Sequence, residues 1–73
     1  MVDNVFNPRK LLHSKWTAVA PQRKEKHFMV VACHADEEDN LIEIELEAVL
    51  TRRVERLPWQ TLRSSDHWLQ GWR

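Results

Sequence analysis

Glycine, cysteine and tyrosine are almost or wholly missing from this chain: one Gly, one Cys and no Tyr in 73 residues. A single glycine leaves no Gly-rich loop whose backbone would cradle a phosphate. The lone Cys33 excludes an intramolecular disulfide and a Cys-rich metal scaffold, so a reducing cytoplasm is the expected compartment. No apolar run approaches the roughly 18 residues of a membrane span, and the start MVDNVFNPRK is too polar for a secretory leader. Excess charge is missing as well: 11 Lys/Arg balance 11 Asp/Glu, whereas a dedicated nucleic-acid binder usually carries a marked positive excess.

What is present is tryptophan, four residues of it, with Trp59, Trp68 and Trp72 inside the last fifteen positions. A chain this short forms one domain with a thin core, burying only ~60% of its unfolded surface. Ordering it costs on the order of 100 kcal/mol. One buried indole contributes roughly 4 to 6 kcal/mol gross, so the tail tryptophans are expected to pin the terminus onto the core. Trp59 and Trp68 are expected largely buried, and Trp16 and the penultimate Trp72 more exposed. Residues 1–6 are expected to be a flexible tail.

Charge is segregated along the chain. Residues 1–34 carry six Lys/Arg against two acids, residues 35–50 seven acids and no Lys/Arg, and residues 51–73 five Arg against two acids. Such blocks either divide the folded surface into basic and acidic faces or pair across neighbouring strands.

Local patterns place the elements. Asn7-Pro8 is a helix-start signal, predicting one or two helical turns over Pro8 to Ser14. A short strand Trp16 to Val19 is ended by Pro21, and Gln22 to Lys26 reads as a charged loop. The apolar run His27 to His34 fits a central strand, with Cys33 in it reading as a small buried hydrophobe. In LIEIELEAVL, Ile42, Ile44, Leu46, Ala48 and Leu50 alternate with Glu43, Glu45 and Glu47, predicting a half-buried strand over Leu41 to Leu50. A helix competes there, because Ile42, Leu46 and Val49 also fall at helical spacing. A further strand, Arg52 to Trp59, would point Val54 inward and set its arginines opposite the glutamates. Ser64 or Ser65 would cap a short helix through Trp68, closed by Gly71.

The pieces NPRKLLHSKWTAVAP, KEKHF, EAVLTRR, PWQTL and WLQGW, in that order from Asn7 to Trp72, resemble a bacterial family of tryptophan-rich conserved hypothetical proteins. The resemblance implies a small bacterial cytosolic protein. It implies no reaction, cofactor or catalytic residue.

The residues themselves offer no site chemistry of their own. Cys33 and His34 are adjacent and would point to opposite faces of a strand, and His13, His27 and His67 are scattered, so no metal site is expected. A contiguous Ser65-Asp66-His67 is not a triad, and Cys33 has no assigned base. No catalytic residue, cofactor or small-molecule substrate is therefore expected. The glutamate row would hold a divalent cation or a basic partner, or pair with Arg52, Arg53 or Arg56, and pairing is the preferred reading.

The fold expected is α+β: a three- or four-stranded antiparallel meander with a short helical turn at each end. The function expected is non-enzymatic binding of a protein, a homodimer partner through a free edge at RRVERL included, by a surface where Trp meets Arg/Lys. Its candidate residues are Lys15, Trp16, Lys24, Lys26, Arg52, Arg53, Arg56 and Trp72. The alternative is RNA or ribosome association, with the basic residues on phosphates and Trp16, Phe28 and Trp59 stacking bases.

Overall fold

The computed structural model describes residues 3–73. It contains five strands, β1 (Lys15–Gln22), β2 (Glu25–Ala35), β3 (Leu41–Ala48), β4 (Val54–Pro58) and β5 (Trp68–Gln70), and two 3-10 turns, Pro8–Lys10 and Trp59–Arg63. They form one antiparallel sheet in the order β4-β3-β2-β1-β5. The expected α+β class is thereby corrected: the protein is all-β. No helix among the described residues is long and apolar enough to cross a membrane.

Both expected helices are lost to tertiary pairing, but their local signals survive. Asn7 caps as read, its side chain accepting from the Arg9 backbone N–H at 3.0 Å with Pro8 behind it. The turn ends at Lys10, and His13 then takes a left-handed conformation, φ 68°, that no helix continues through. At the other end the Ser64 carbonyl accepts from His67 and Trp68 N–H in a single turn. Trp68, Leu69 and Gln70 leave that turn to pair with Ala18, Thr17 and Trp16 of β1. Three ladder partners outweigh the weak local preference for a helix.

β3 is the strand its alternation announces. Ile44, Leu46 and Ala48 are buried while Glu43, Glu45 and Glu47 lie half-exposed on the other face. The strand stops at Ala48, where Arg52 N–H returns to the Ala48 carbonyl and Arg52 adopts φ 64°. This turn sets the register of β4, with Val54 opposite Glu47 and Leu57 opposite Ile44. Val54 thus sits on the glutamate face, 45% exposed rather than inward, because a one-residue change in a turn reverses every side chain that follows.

The segment read as a charged loop is a hairpin turn. Gln22 pairs with Glu25, and Arg23 and Lys24 both have positive φ, 56° and 63°, as a type I′ turn demands. β1 loses its register with β2 between Thr17 and Gln22, so Pro21 falls where no ladder bond is asked of it. β2 runs in the middle of the sheet as expected, bulged between Val30 and Ala32. Cys33 lies beyond this bulge and is exposed, correcting the buried reading.

A lone sheet needs a cover, and here it comes from irregular chain. The buried core joins Trp16, Phe28, Val30, Ile44, Leu46 and Ala48 of the sheet to Leu11 from the N-terminal turn and Leu62 from the second 3-10 turn. Phe6 meets Trp16 edge-on at 5.3 Å and Trp59 at 6.1 Å, and Phe28 meets Trp68 at 5.2 Å. Trp16 is 2% exposed, the centre of this set, which overturns its expected exposure. Trp59 and Trp68 are half-buried against the core.

Of the expected flexible tail, Met1 and Val2 lie outside the described residues. From Asn4 onward the segment is tied down beside β5, the Asn4 amide donating to the Leu62 and Trp68 carbonyls at 2.8 and 2.7 Å. That contact shields part of the β5 edge. At the opposite edge, short β4 carries charged side chains and ends in proline, features that discourage further pairing.

Candidate binding surface

The last three residues double back over the sheet. Gly71, at φ 80°, makes the reversal, and its carbonyl accepts from the Thr17 hydroxyl at 2.7 Å. The same hydroxyl oxygen accepts from Arg73 N–H at 3.0 Å. Thr17 is buried under this crossing. Trp72 is thereby laid against β1 and β2, its indole N–H donating to the Phe28 carbonyl at 2.9 Å.

Trp72 is anchored yet 41% exposed. The Lys15 ammonium stands 4.7 Å from its ring centroid, and the His27 ring lies 6.0 Å away at a 41° tilt. His27 Nε2 is also 3.0 Å from the Arg73 carbonyl. Backbone bonds hold the ring in one orientation, so a partner stacking on it loses little side-chain entropy.

Of the sequence-selected residues, the fold brings together Lys15 and Trp72. Trp16 is core. Lys24 lies at the exposed tip of the β1–β2 hairpin and Lys26 just after it on β2. The three arginines are engaged in ion pairs. Arg56 Nε donates to Glu43 at 2.8 Å and Arg52 reaches Glu47 at 3.4 Å. Arg53 clasps the buried Glu25, donating from Nε at 3.0 and 3.1 Å and from Nη2 at 2.7 Å, and also reaches Glu55 at 3.2 Å. His34 faces the remaining carboxylate of the row, Glu45.

These contacts set the local proton affinities. The Arg53 guanidinium, and then the Thr51 hydroxyl, hold the Glu25 carboxyl below the usual carboxylate range, while desolvation opposes them. Glu25 in turn raises the already high Arg53. In the β2–β3 turn, Asn40 N–H donates to Asp36 and lowers its carboxyl, with Glu38 N–H assisting. Desolvation raises the Cys33 thiol, so it holds its proton more tightly than a free thiol. No group of three or more His, Cys, Asp or Glu suited to a metal occurs among the described residues. His67 Nδ1, 2.9 Å from the Ser64 hydroxyl, belongs to the turn before β5.

Beside the Trp72 platform a groove of about 450 Å³ opens between the N-terminal turn and the end of β5, lined by Phe6, Lys10, Leu11, His13, Lys15 and Trp16 among others. Sequence reasoning missed this groove, along with His27 and Arg73. Their relation to Lys15 and Trp72 depends on the Gly71 reversal and on strand register, and no short motif encodes either.

An all-β sheet with a cationic aromatic surface at the meeting of β1, β2 and the C-terminus is thus the structural class. The chain belongs to a family of unknown function described as tryptophan-rich protein (DUF2389), whose model matches residues 14–73. No curated protein and no solved structure matches the chain significantly.

Proposed function

We propose that this protein is a non-enzymatic recognition module of the bacterial cytoplasm that binds a protein partner on the surface around Trp72 and Lys15. The observation that carries the reading is the combination at Trp72: a large aromatic ring fixed by a backbone hydrogen bond, left 41% exposed, with an ammonium beside it. Tryptophan and basic side chains in such settings make strong interface anchors, and nothing in the core requires the exposed part of this ring. The cytoplasmic assignment rests on the single cysteine, exposed and without a disulfide partner.

RNA binding is the rival class. It draws support from Lys24 and Lys26, which form no ion pair among the described residues, but the Trp72 face continues into the Glu43, Glu45 and Glu47 row across β2, which a polyanion would have to avoid. The test is quantitative affinity capture from the native cells with wild-type and Trp72→Ala bait, each with and without RNase. A protein retained by wild type, insensitive to RNase and depleted about tenfold on the variant is the expected result. Equal capture by both baits, or loss on RNase treatment, would refute the proposal.

A further inference from the structure

We infer that the groove beside the N-terminal turn receives a short acidic segment of the partner carrying an apolar side chain, and that Lys15 joins this groove to the Trp72 platform. The inference rests on the recognition reading above and names the chemistry of its partner.

The groove's floor and rim differ in kind. Half-buried Phe6, over the buried Leu11 and Trp16, supplies an apolar floor. Lys10, His13 and Lys15 stand on the rim, and among the described residues no carboxylate lines the groove or forms an ion pair with any of these three. This local surplus follows from how the chain spends its acids. The two in the first third are Asp3 and Glu25, and Glu25 is committed to Arg53, while the glutamates of β3 are committed to Arg52, Arg56 and His34. The lysines of the rim are left for an external anion.

The polar groups of the wall are already satisfied. Trp16 Nε1 donates to the Ser14 hydroxyl at 2.8 Å, which itself donates to the Leu11 carbonyl, and the Gln70 amide donates to the Val5 carbonyl. Few directional donors face the opening, so selection there is by charge and apolar contact. That suits a flexible acidic stretch better than a small molecule of fixed shape. It suits nucleic acid less, because the apolar floor adds nothing to the phosphate contacts that the rim lysines would make. Lys15 lines the groove while its ammonium stands by Trp72 on the other face of β1, so a bound segment that reaches Trp72 must pass over Lys15.

The probe is a fluorescein-labelled eight-residue peptide of Asp and Glu around a central Leu-Phe, titrated by anisotropy against the full chain. Its controls replace Leu-Phe by Ser, replace the acids by Lys, or substitute a uridine octanucleotide. The acidic-apolar peptide should bind, with both peptide controls and Lys10→Glu weaker by about tenfold. The Trp16 and Trp68 indole N–H resonances of Lys10→Glu should stay at their wild-type positions, showing the fold intact. Loss on Lys10→Glu without any effect of Trp72→Ala supports the groove and refutes only the role of Trp72. Loss on Trp72→Ala without any effect of Lys10→Glu overturns the groove. Equal binding of the oligonucleotide overturns it in favour of nucleic acid. A sedimentation dimer that excludes the peptide also overturns it, with a second copy of this chain as the occupant.

Discussion

The two sides of the sheet's central strand use charge in opposite ways. On the β3–β4 side, glutamates and arginines meet across the ladder, and Glu25 draws Arg53 into the same system. On the β1 side, Lys10 and Lys15 have no carboxylate partner among the described residues, and an aromatic ring lies against the latter. Charge on the first side is internal structure; on the second it faces outward. Zero net charge therefore conceals an uncompensated basic patch, and a whole-chain sum is a poor guide to what a surface will bind.

The comparison is broken most severely through tryptophan, which both sides of the sheet employ. Trp16→Ala empties the centre of the core and is expected to cost about 3 to 5 kcal/mol, most of the stability of so small a domain; urea denaturation should show the loss. Arg53→Ala comes next, because it strands the Glu25 carboxylate in a buried position. The folded Glu25 pKa is depressed, so its contribution is full above the ordinary carboxylate range and fades as pH falls through the lowered folded value. Thermal melts across acid pH should show that slope in wild type, flattened in Arg53→Ala. Trp72→Ala removes a ring already partly in water and is expected to cost about 2 kcal/mol while depleting the captured partner about tenfold. A core-like loss for Trp72 would move it from the binding surface into the scaffold.

Smaller changes sharpen the contrast. Replacing Arg23-Lys24 by Asn-Gly relieves two left-handed backbone positions in the hairpin and should stabilise the domain by about 0.5 to 1 kcal/mol. Arg56→Ala removes an exposed pair to Glu43 and should shift stability by less than about 0.5 kcal/mol, a difference that added salt erases.

The elements most visible in the chain are those whose side chains repeat with their backbone. Alternation from Ile42 to Ala48 is a property of the strand itself, and the apolar run of β2 reflects its central place. Asn7-Pro8 capped a turn as local chemistry requires. What escaped reading depended on a distant partner or on the backbone conformation of a turn. Whether Trp16 lies inside depends on Phe6 and Leu11 folding over it, and the direction of Val54 depends on a turn containing a left-handed Arg52. The strand character of Trp68 to Gln70 comes from β1, some fifty residues earlier.

The site divides along the same line. Trp72 was recognisable as an aromatic residue short of neighbours and Lys15 as a basic one, but their adjacency was not. Arg52, Arg53 and Arg56 read in sequence both as partners of the glutamate row and as candidate surface residues, and ion pairing to β2 and β3 removed them from the candidate surface.

Residue order alone determined the central strands, the Asn7 cap and the scarcity of core that makes tryptophan indispensable, because these follow from periodicity, backbone preference and size. Tertiary structure decided which tryptophan is buried, which cations remain unpaired and where the terminus lies. Those outcomes are set by long-range register and by competition for a limited number of carboxylates, quantities that exist only once the strands have met.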